Sequence, residues 1–270
     1  MIHKQTRAAI KGYLEGFIDG LIEQHRSSTR KKLAQENHKA NYSSEGILKP
    51  FHEAIIPSEI LRVSAFERSF STKLGSTFEE CARLIALQKY PTVKRGYIAS
   101  GQMPMAAVTK IEEIISRINS GQRPDFPALI IEVLNAKDTH WVKRPVIADL
   151  YLENESGSRY FFEIKSPKPN KGQCLEIAER LLRIHAITQQ NRPYVNAYFA
   201  MAYNPYGQKP EDYRHSISLQ YLDMEHEILL GQAFWTLIGD QQTYQELLEI
   251  YHEVGEEKYK AMMDAFMFEF

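Results

Sequence analysis

The chain has 270 residues, enough for one large domain or two small ones and for a real buried core. Hydrophobic residues make up 43% and charged residues 25%, which excludes a disordered chain, a collagen and a disulfide scaffold; no apolar run approaches the ~18–20 residues of a membrane-spanning helix. Net charge is −1 at pH 7, which taken alone argues against a polyanionic partner, yet residues 194–270 hold 4 basic and 13 acidic groups (−9) while residues 1–193 hold 29 basic and 21 acidic groups (+8).

The first 20 residues are amphipathic and carry Glu15 and Asp19 in their apolar half, so they do not read as a signal peptide. Cys81 and Cys174 cannot form a CxxC metal site and suggest a reducing, cytoplasmic setting with buried thiols. Over residues 2–25, Ile10, Tyr13, Leu14, Phe17, Ile18, Leu21 and Ile22 recur at helical spacing and predict a helix whose stripe is core or dimer contact. Residues 26–50 are polar and basic and bear Gly, Ser and Asn; they read as an irregular arm, with Arg26 to Asn41 a candidate to order on DNA. Ser76-Thr77-Phe78-Glu79 is a capping-box pattern that opens a helix through Phe78, Ala82, Leu84, Ile85 and Leu87, ending before Pro91. Helices are expected over Thr109 to Ile118 and, by preference over strand, Phe126 to Leu134.

The period then changes. Val146 to Leu152 and Arg159 to Lys165 are β-rich runs across a Gly-bearing turn, a hairpin ended by Pro167 and Pro169. Gly172 to Gln189 is a helix with Leu175, Ala178, Leu181, Leu182 and His185 on one face, which makes His185 a core histidine. Tyr194 to Ala202 is a buried third strand, and Ile217 to Leu222 is a candidate fourth. From Asp223 on the chain reads as helical and acidic, anchored by Phe234, Trp235, Leu237, Ile238, Leu247, Leu248 and Tyr251. The class is α/β: a core framed by helical additions. A single domain over 1–270 is expected, with 1–75 a helical and arm region for DNA recognition or dimer contact, 76–222 the catalytic core and 223–270 an acidic helical end.

Chemistry concentrates in the hairpin. Glu163 and Lys165 are two apart and leave the same face of their strand, and Asp149, 14 positions before Glu163, lies on the neighbouring strand within reach of both. Two carboxylates at one point repel unless a cation sits between them, and such oxygen ligands suit Mg²⁺ or Mn²⁺. A lysine beside them can hold or activate a water and stabilise developing charge, a set suited to phosphodiester hydrolysis. A Glu-x-Lys triplet alone is weak, and Glu256-Glu257-Lys258 is another. What distinguishes the first is its strand context, the partner Asp149 and the basic loop Lys165-Ser166-Pro167-Lys168-Pro169-Asn170-Lys171.

These residues resemble the PD-(D/E)xK nuclease motif, with Ala148 rather than Pro before Asp149 and Pro145 further upstream. The resemblance implies a restriction-endonuclease-like core, a central mixed sheet flanked by helices, with N- and C-terminal helical additions. It also implies a further acidic group from an upstream helix, Glu79 or Glu80, although Glu79 can equally be the cap partner of Ser76. More closely, the chain resembles the TdeIII-like type II restriction endonucleases. That resemblance is carried by Leu48-Lys49-Pro50-Phe51-His52-Glu53-Ala54, by Ser64-Ala65-Phe66-Glu67-Arg68-Ser69-Phe70-Ser71 running into Gly75 to Glu80, by Phe162 through Lys165 to Gly172-Gln173, and by Ala202-Tyr203-Asn204-Pro205-Tyr206-Gly207. It implies a Mg²⁺-dependent homodimer, with Mn²⁺ a substitute, that cuts both strands of a short palindrome of the GGNCC type beside a cognate DNA methyltransferase. On this sequence Asp149 and Glu163 become metal ligands and Lys165 the catalytic lysine, with Glu79 assigned to the same site.

Lys168 and Lys171, with Gln173 after them, follow the active strand and are candidate backbone contacts, which position a protein on DNA but read no sequence. Candidate base readers are Lys49, Arg62, Arg68, Lys73, Gln208, Lys209 and Arg214, each more often a phosphate or surface contact. A nuclease of the same core with a repair or structure-specific role, and a non-catalytic DNA-binding module, are the alternatives; the intact Asp149, Glu163 and Lys165 set argues against the latter.

Overall fold

The computed structural model describes residues 1–36 and 54–267. In chain order its elements are α1 (Lys4–Glu36), α2 (Ser58–Ala86), β1 (Thr92–Ala99), β2 (Gln102–Pro104), α3 (Met105–Asn119), α4 (Phe126–Asn135), β3 (Trp141–Lys143), β4 (Val146–Glu153), β5 (Arg159–Lys165), α5 (Lys171–Thr188), β6 (Val195–Met201), α6 (Ser216–Tyr221), β7 (Ile228–Leu230), α7 (Gln232–Ile238) and α8 (Thr243–Met267). The chain divides into two units, one of Met1–His3 with Phe78–Glu246, the other of Lys4–Thr77 with Leu247–Phe270.

The first unit is built on a five-stranded mixed sheet in the order β1-β4-β5-β6-β7. β1, β4 and β5 pair antiparallel; β6 runs parallel to β5, and β7 parallel to β6. The short β4–β5 hairpin explains the first arrangement, and α5 supplies the crossover that a parallel β5–β6 pair requires. β6 is buried along nearly its whole length, as a central parallel strand must be. On one face α3, α4 and α5 bury Ile111, Ile114, Phe126, Ile130, Leu181 and Leu182 against Phe161, Ala197 and Phe199 of the sheet. On the other, Phe162 meets Phe234 of α7 at 5.6 Å between ring centroids, and the Trp235 indole donates to the Ala202 carbonyl at 2.7 Å. The mixed sheet flanked by helices is the expected fold class, and His185, Cys81 and Cys174 are buried as expected.

Four readings change. Residues 26–36, read as irregular, continue α1: Arg30, Lys31, Lys32, Leu33, Ala34, Gln35 and Glu36 all favour helix, and the Asn and Gly that suggested a loop come later. The rest of that arm and Lys49 lie outside the described residues. Ser76 does not open a helix, because α2 already runs from Ser58; its hydroxyl instead donates to the Lys73 carbonyl at 2.7 Å, as a mid-helix serine does. Ile217 to Leu222 is α6 rather than a strand: the alternation of Ile217, Leu219 and Tyr221 mimics a strand, but one helical turn directs Ser218, Tyr221 and Leu222 inward under an N-cap from His215. The last core strand is instead β7, three residues inside the stretch read as wholly helical. Edge strand β1 also went unread, since Lys94, Arg95 and Gly96 interrupt its pattern.

In the second unit α1, the Ser58–Thr77 part of α2 and the end of α8 associate. Phe17 and Phe70 lie 5.9 Å apart, and Thr77 and Tyr251 share a hydroxyl contact at 2.7 Å. The acidic end of the chain is partly neutralised here: Glu253 pairs with Arg7 and Lys11, Glu257 with Lys11, and Asp19 with Lys258. No helix among the described residues is long and apolar enough to cross a membrane.

Candidate active site

Asp149, Glu163 and Lys165 come together where the hairpin opens. The β4–β5 pairing runs from Glu153↔Arg159 to Leu150↔Phe162 and stops there. Beyond it the Asp149 carboxylate takes the place of a backbone acceptor: its Oδ2 receives the Ile164 N–H at 2.7 Å. On the other side, the pairs Arg95↔Leu150 and Tyr97↔Ala148 leave Gly96, with φ +61°, opposite Asp149. A side chain at that φ would be strained, so glycine lets β1 bend past the carboxylate. Ala148 and Tyr151 both pack in the core against α3, α4 and α5, although an uninterrupted strand would send them to opposite faces. The alternation therefore breaks at Asp149. β5 stays anchored from its other edge, with Glu163↔Phe199 and Lys165↔Met201 in register.

Glu163 is 3% exposed and held by two cations. Lys165 Nζ lies 2.5 Å from its Oε1, and Arg180 Nη1 donates to Oε1 and Oε2 at 3.0 and 3.1 Å. Burial, reinforced by the charge of Glu163, pushes the Asp149 carboxyl up to about 6, against the opposing effects of the Ile164 N–H and Lys165. Burial alone would lower the Lys165 pKa, but the hydrogen bond and charge of Glu163, with Asp149, hold it above its ordinary value, so Lys165 is an ammonium donor here.

The two α2 carboxylates both touch Arg95 of β1, Glu79 at 2.8 Å and Glu80 at 3.4 Å, but are held differently. Glu80 is held by Arg83 at 2.6 and 3.0 Å, which lowers its pKa. Glu79 is held by Arg95 of β1 at 2.8 Å, and its charge is felt at Asp149. Ser76 lies inside α2, so Glu79 is no cap partner for it, and of the two carboxylates Glu79 is the one whose charge reaches Asp149. Among the described residues no group of three or more His, Cys, Asp or Glu is arranged to hold a metal. One buried and one half-buried carboxylate still fit Mg²⁺, which commonly takes one or two carboxylates and completes its shell with water and phosphate.

The loops leaving the C-terminal ends of β5 and β6 share this end of the sheet. The buried Tyr213 hydroxyl donates to the Pro167 carbonyl and lies 2.9 Å from Ser218 Oγ, while Lys168 sits 5.2 Å over the Tyr206 ring. Exposed Lys168, Lys209 and Arg214 are thus carried on two loops pinned to each other just after Lys165. Lys171 turns back to the Asn119 carbonyl at 3.2 Å and the Tyr221 ring, and Gln173 completes the capping box of α5 with Asn170. Arg68 and Lys73 are exposed on α2 in the other unit, with Lys73 bonded to Gln24, and Arg62 lies on the same helix. Tyr213→Phe is expected to lower unfolding free energy by about 1–2 kcal/mol in a denaturant titration, because it leaves the buried Pro167 carbonyl unpaired. An unchanged midpoint would show that the loops are held otherwise.

Arg180 and Arg95 escaped the sequence reading. Glu176 and Arg180, 2.6 Å apart, form an i,i+4 pair that reads as a solvated helix face, and nothing local shows that this face covers Glu163.

A family model described as type II restriction endonuclease, HinfI, matches residues 6–255. The chain is 45% identical over 263 residues to the type II restriction enzyme HgiBI of Herpetosiphon aurantiacus, covering 94% of each. It is 44% identical over 263 residues to HgiCII of the same organism, covering 94% of this chain and 95% of the relative. Type II restriction enzyme MjaII of Methanocaldococcus jannaschii is 24% identical over 223 residues, 76% of this chain and 58% of that protein.

Proposed function

Since the chain belongs to the HinfI family of type II restriction endonucleases, site-specific deoxyribonucleases that act on DNA, we propose that it hydrolyses both strands of a short palindrome with Mg²⁺ at the β4–β5 hairpin, as a PD-(D/E)xK enzyme. One observation carries the reading. Asp149 and Glu163 converge where the strands part, with the Lys165 ammonium 2.5 Å from Glu163. Asp149 and Glu163 would hold the Mg²⁺ or Mn²⁺, which when bound supplies charge neutralisation at the phosphate and lowers the pKa of the attacking water.

The remaining roles follow from the residues in place. Lys165 donates from its ammonium to a phosphate oxygen or to the attacking water, and stabilises the charge that builds in the transition state. Glu79, fixed by Arg95, adds negative charge beside Asp149 and strengthens the attraction for a cation. Lys168, Lys209 and Arg214 meet the DNA backbone or base edges from the paired loops. Residues 76–222 carry the chemistry, 1–75 serve DNA recognition or dimer contact, and 223–270 form the acidic helical end. A palindrome is read by a two-fold symmetric protein, so the working form is a homodimer. The GGNCC preference rests on the TdeIII-like motifs. A cognate methyltransferase protects the same sites in the host DNA, and both enzymes work in the cytoplasm.

Plasmid digestion tests this. Discrete double-strand fragments are expected with Mg²⁺ or Mn²⁺ and none with chelator. A smear would assign the protein to the structure-specific or repair alternative, and cutting in chelator would remove the metal from the reading.

A further inference from the structure

Arg180 is the largest investment of charge around the hairpin that the proposed chemistry leaves unused. Its Nη1 reaches both oxygens of Glu163, and its Nη2 is anchored at 2.6 Å by Glu176 one turn back on α5. Glu163 is 3% exposed, and a carboxylate so buried stays ionised only beside a cation. Asp149, Glu163 and Glu176 bring three negative charges; Lys165 and Arg180 bring two positive ones, both of them on Glu163. The Glu163 carboxylate is thus fully paired with no metal bound.

We propose that Arg180 is a positioning residue, the resident counter-ion of Glu163, which aims that carboxylate in the free protein and competes there with the divalent cation. The proposal rests on the metal site assigned above to Asp149 and Glu163. A cation bound by Glu163 must share it with a guanidinium already on both its oxygens, and the two positive charges repel. The Arg180 side chain is 34% exposed, so one edge of it faces solvent, where duplex phosphates can draw it away. Metal affinity is accordingly held down in the free protein and rises once DNA engages Arg180.

The test is titration of Mn²⁺ alone into the DNA-free full-length protein, read by calorimetry or by the loss of the free-Mn²⁺ resonance. Arg180→Met removes the competing charge and is expected to bind Mn²⁺ about tenfold tighter than wild type, the partial exposure of the guanidinium limiting the gain. Arg180→Lys keeps the charge and is expected to stay within about threefold of wild type. A merely structural Arg180 would change thermal stability in both variants and tighten metal binding in neither. Should Arg180→Met not fold, Arg180→Gln carries the same expectation, since it keeps a donor for Glu163 but no charge. Asp149→Asn separates the two claims. If it abolishes Mn²⁺ binding while the uncharged Arg180 variants bind no tighter than wild type, the counter-ion role is overturned and the metal site stands. If Asp149→Asn binds Mn²⁺ as wild type does, the metal site itself is misplaced.

Discussion

Lys165→Ala is expected to slow DNA cleavage by about a thousandfold while leaving DNA binding within a few-fold of wild type, as loss of one well-placed donor to a developing charge does elsewhere. The asymmetry follows from where Lys165 sits. Its ammonium is at the end of β5, 2.5 Å from Glu163, in a strand fixed by β6 on one side and by Asp149 on the other. Removing it leaves Glu163 with Arg180, so the buried carboxylate keeps a cation and the strand has no reason to shift. Binding is shared among many backbone contacts, each contributing a small part, whereas the transition-state charge is met at one place. Lys165→Arg is not a safe substitute, because a planar fork cannot occupy the position of a compact ammonium. Single-turnover cleavage and gel-shift titration on the same duplex separate the two effects. Wild-type cleavage by Lys165→Ala would remove the lysine from the reaction; equal loss of binding would make it a DNA anchor.

What the sequence disclosed, and what it did not, divides by the range of the interactions. The hairpin, α3, α4, α5 and β6 were legible because each has a strong period of its own and is bounded by turn or proline signals. Asp149, Glu163 and Lys165 were legible because a two-residue spacing and one short turn nearly fix their geometry. β1 was not: it is an edge strand exposed over Lys94, Arg95 and Gly96, and it gains its shape from pairing with β4, 51 positions away at the Tyr97↔Ala148 pair, a distance over which no local pattern shows it. β7 has three residues, too few to carry a period, and is strand only because β6 offers it a parallel edge. Arg180 was invisible for the same reason, since its role depends on which strand α5 covers. The pairing of Glu79 and Glu80 with Arg95 was likewise hidden, since no local motif connects β1 to α2. The charge split was real in sequence, but its consequence lay in packing: part of the acidic end is consumed by Arg7 and Lys11 of α1 and need not face any polyanion.

Stability is expected to fall as pH rises through the neutral range, and Glu227→Gln is expected to abolish much of that fall. Glu227 is wholly buried at the turn before β7, with Oε2 accepting the Asp223 N–H at 3.1 Å and no hydrogen-bond partner for Oε1 among the described residues. Burial raises its carboxyl to about 8, with the charge of Asp223 adding and the Asp223 N–H opposing, and the Cys174 thiol of α5 is near enough to feel it. In the unfolded chain the same group ionises near its ordinary value of 4.5. Between these two values the native state binds the proton that the unfolded state has released, so unfolding is favoured progressively as pH rises from about 4.5 to about 8. His185 acts in the opposite direction. Its ring is fully buried and its pKa is lowered to about 4, so its unfavourable contribution grows as pH falls from 6.5 to about 4. The two together confine the stable range from both sides. Glutamine fills the volume of the neutral acid, keeps an acceptor for the Asp223 N–H and cannot ionise. Glu227→Gln is therefore expected to match wild type near pH 4.5 and exceed it by several kcal/mol near pH 9, the alkaline loss being removed. Urea unfolding of both proteins across that interval measures the difference, and parallel curves would show that Glu227 is ionised in the folded protein, with a counter-charge supplied at the turn before β7.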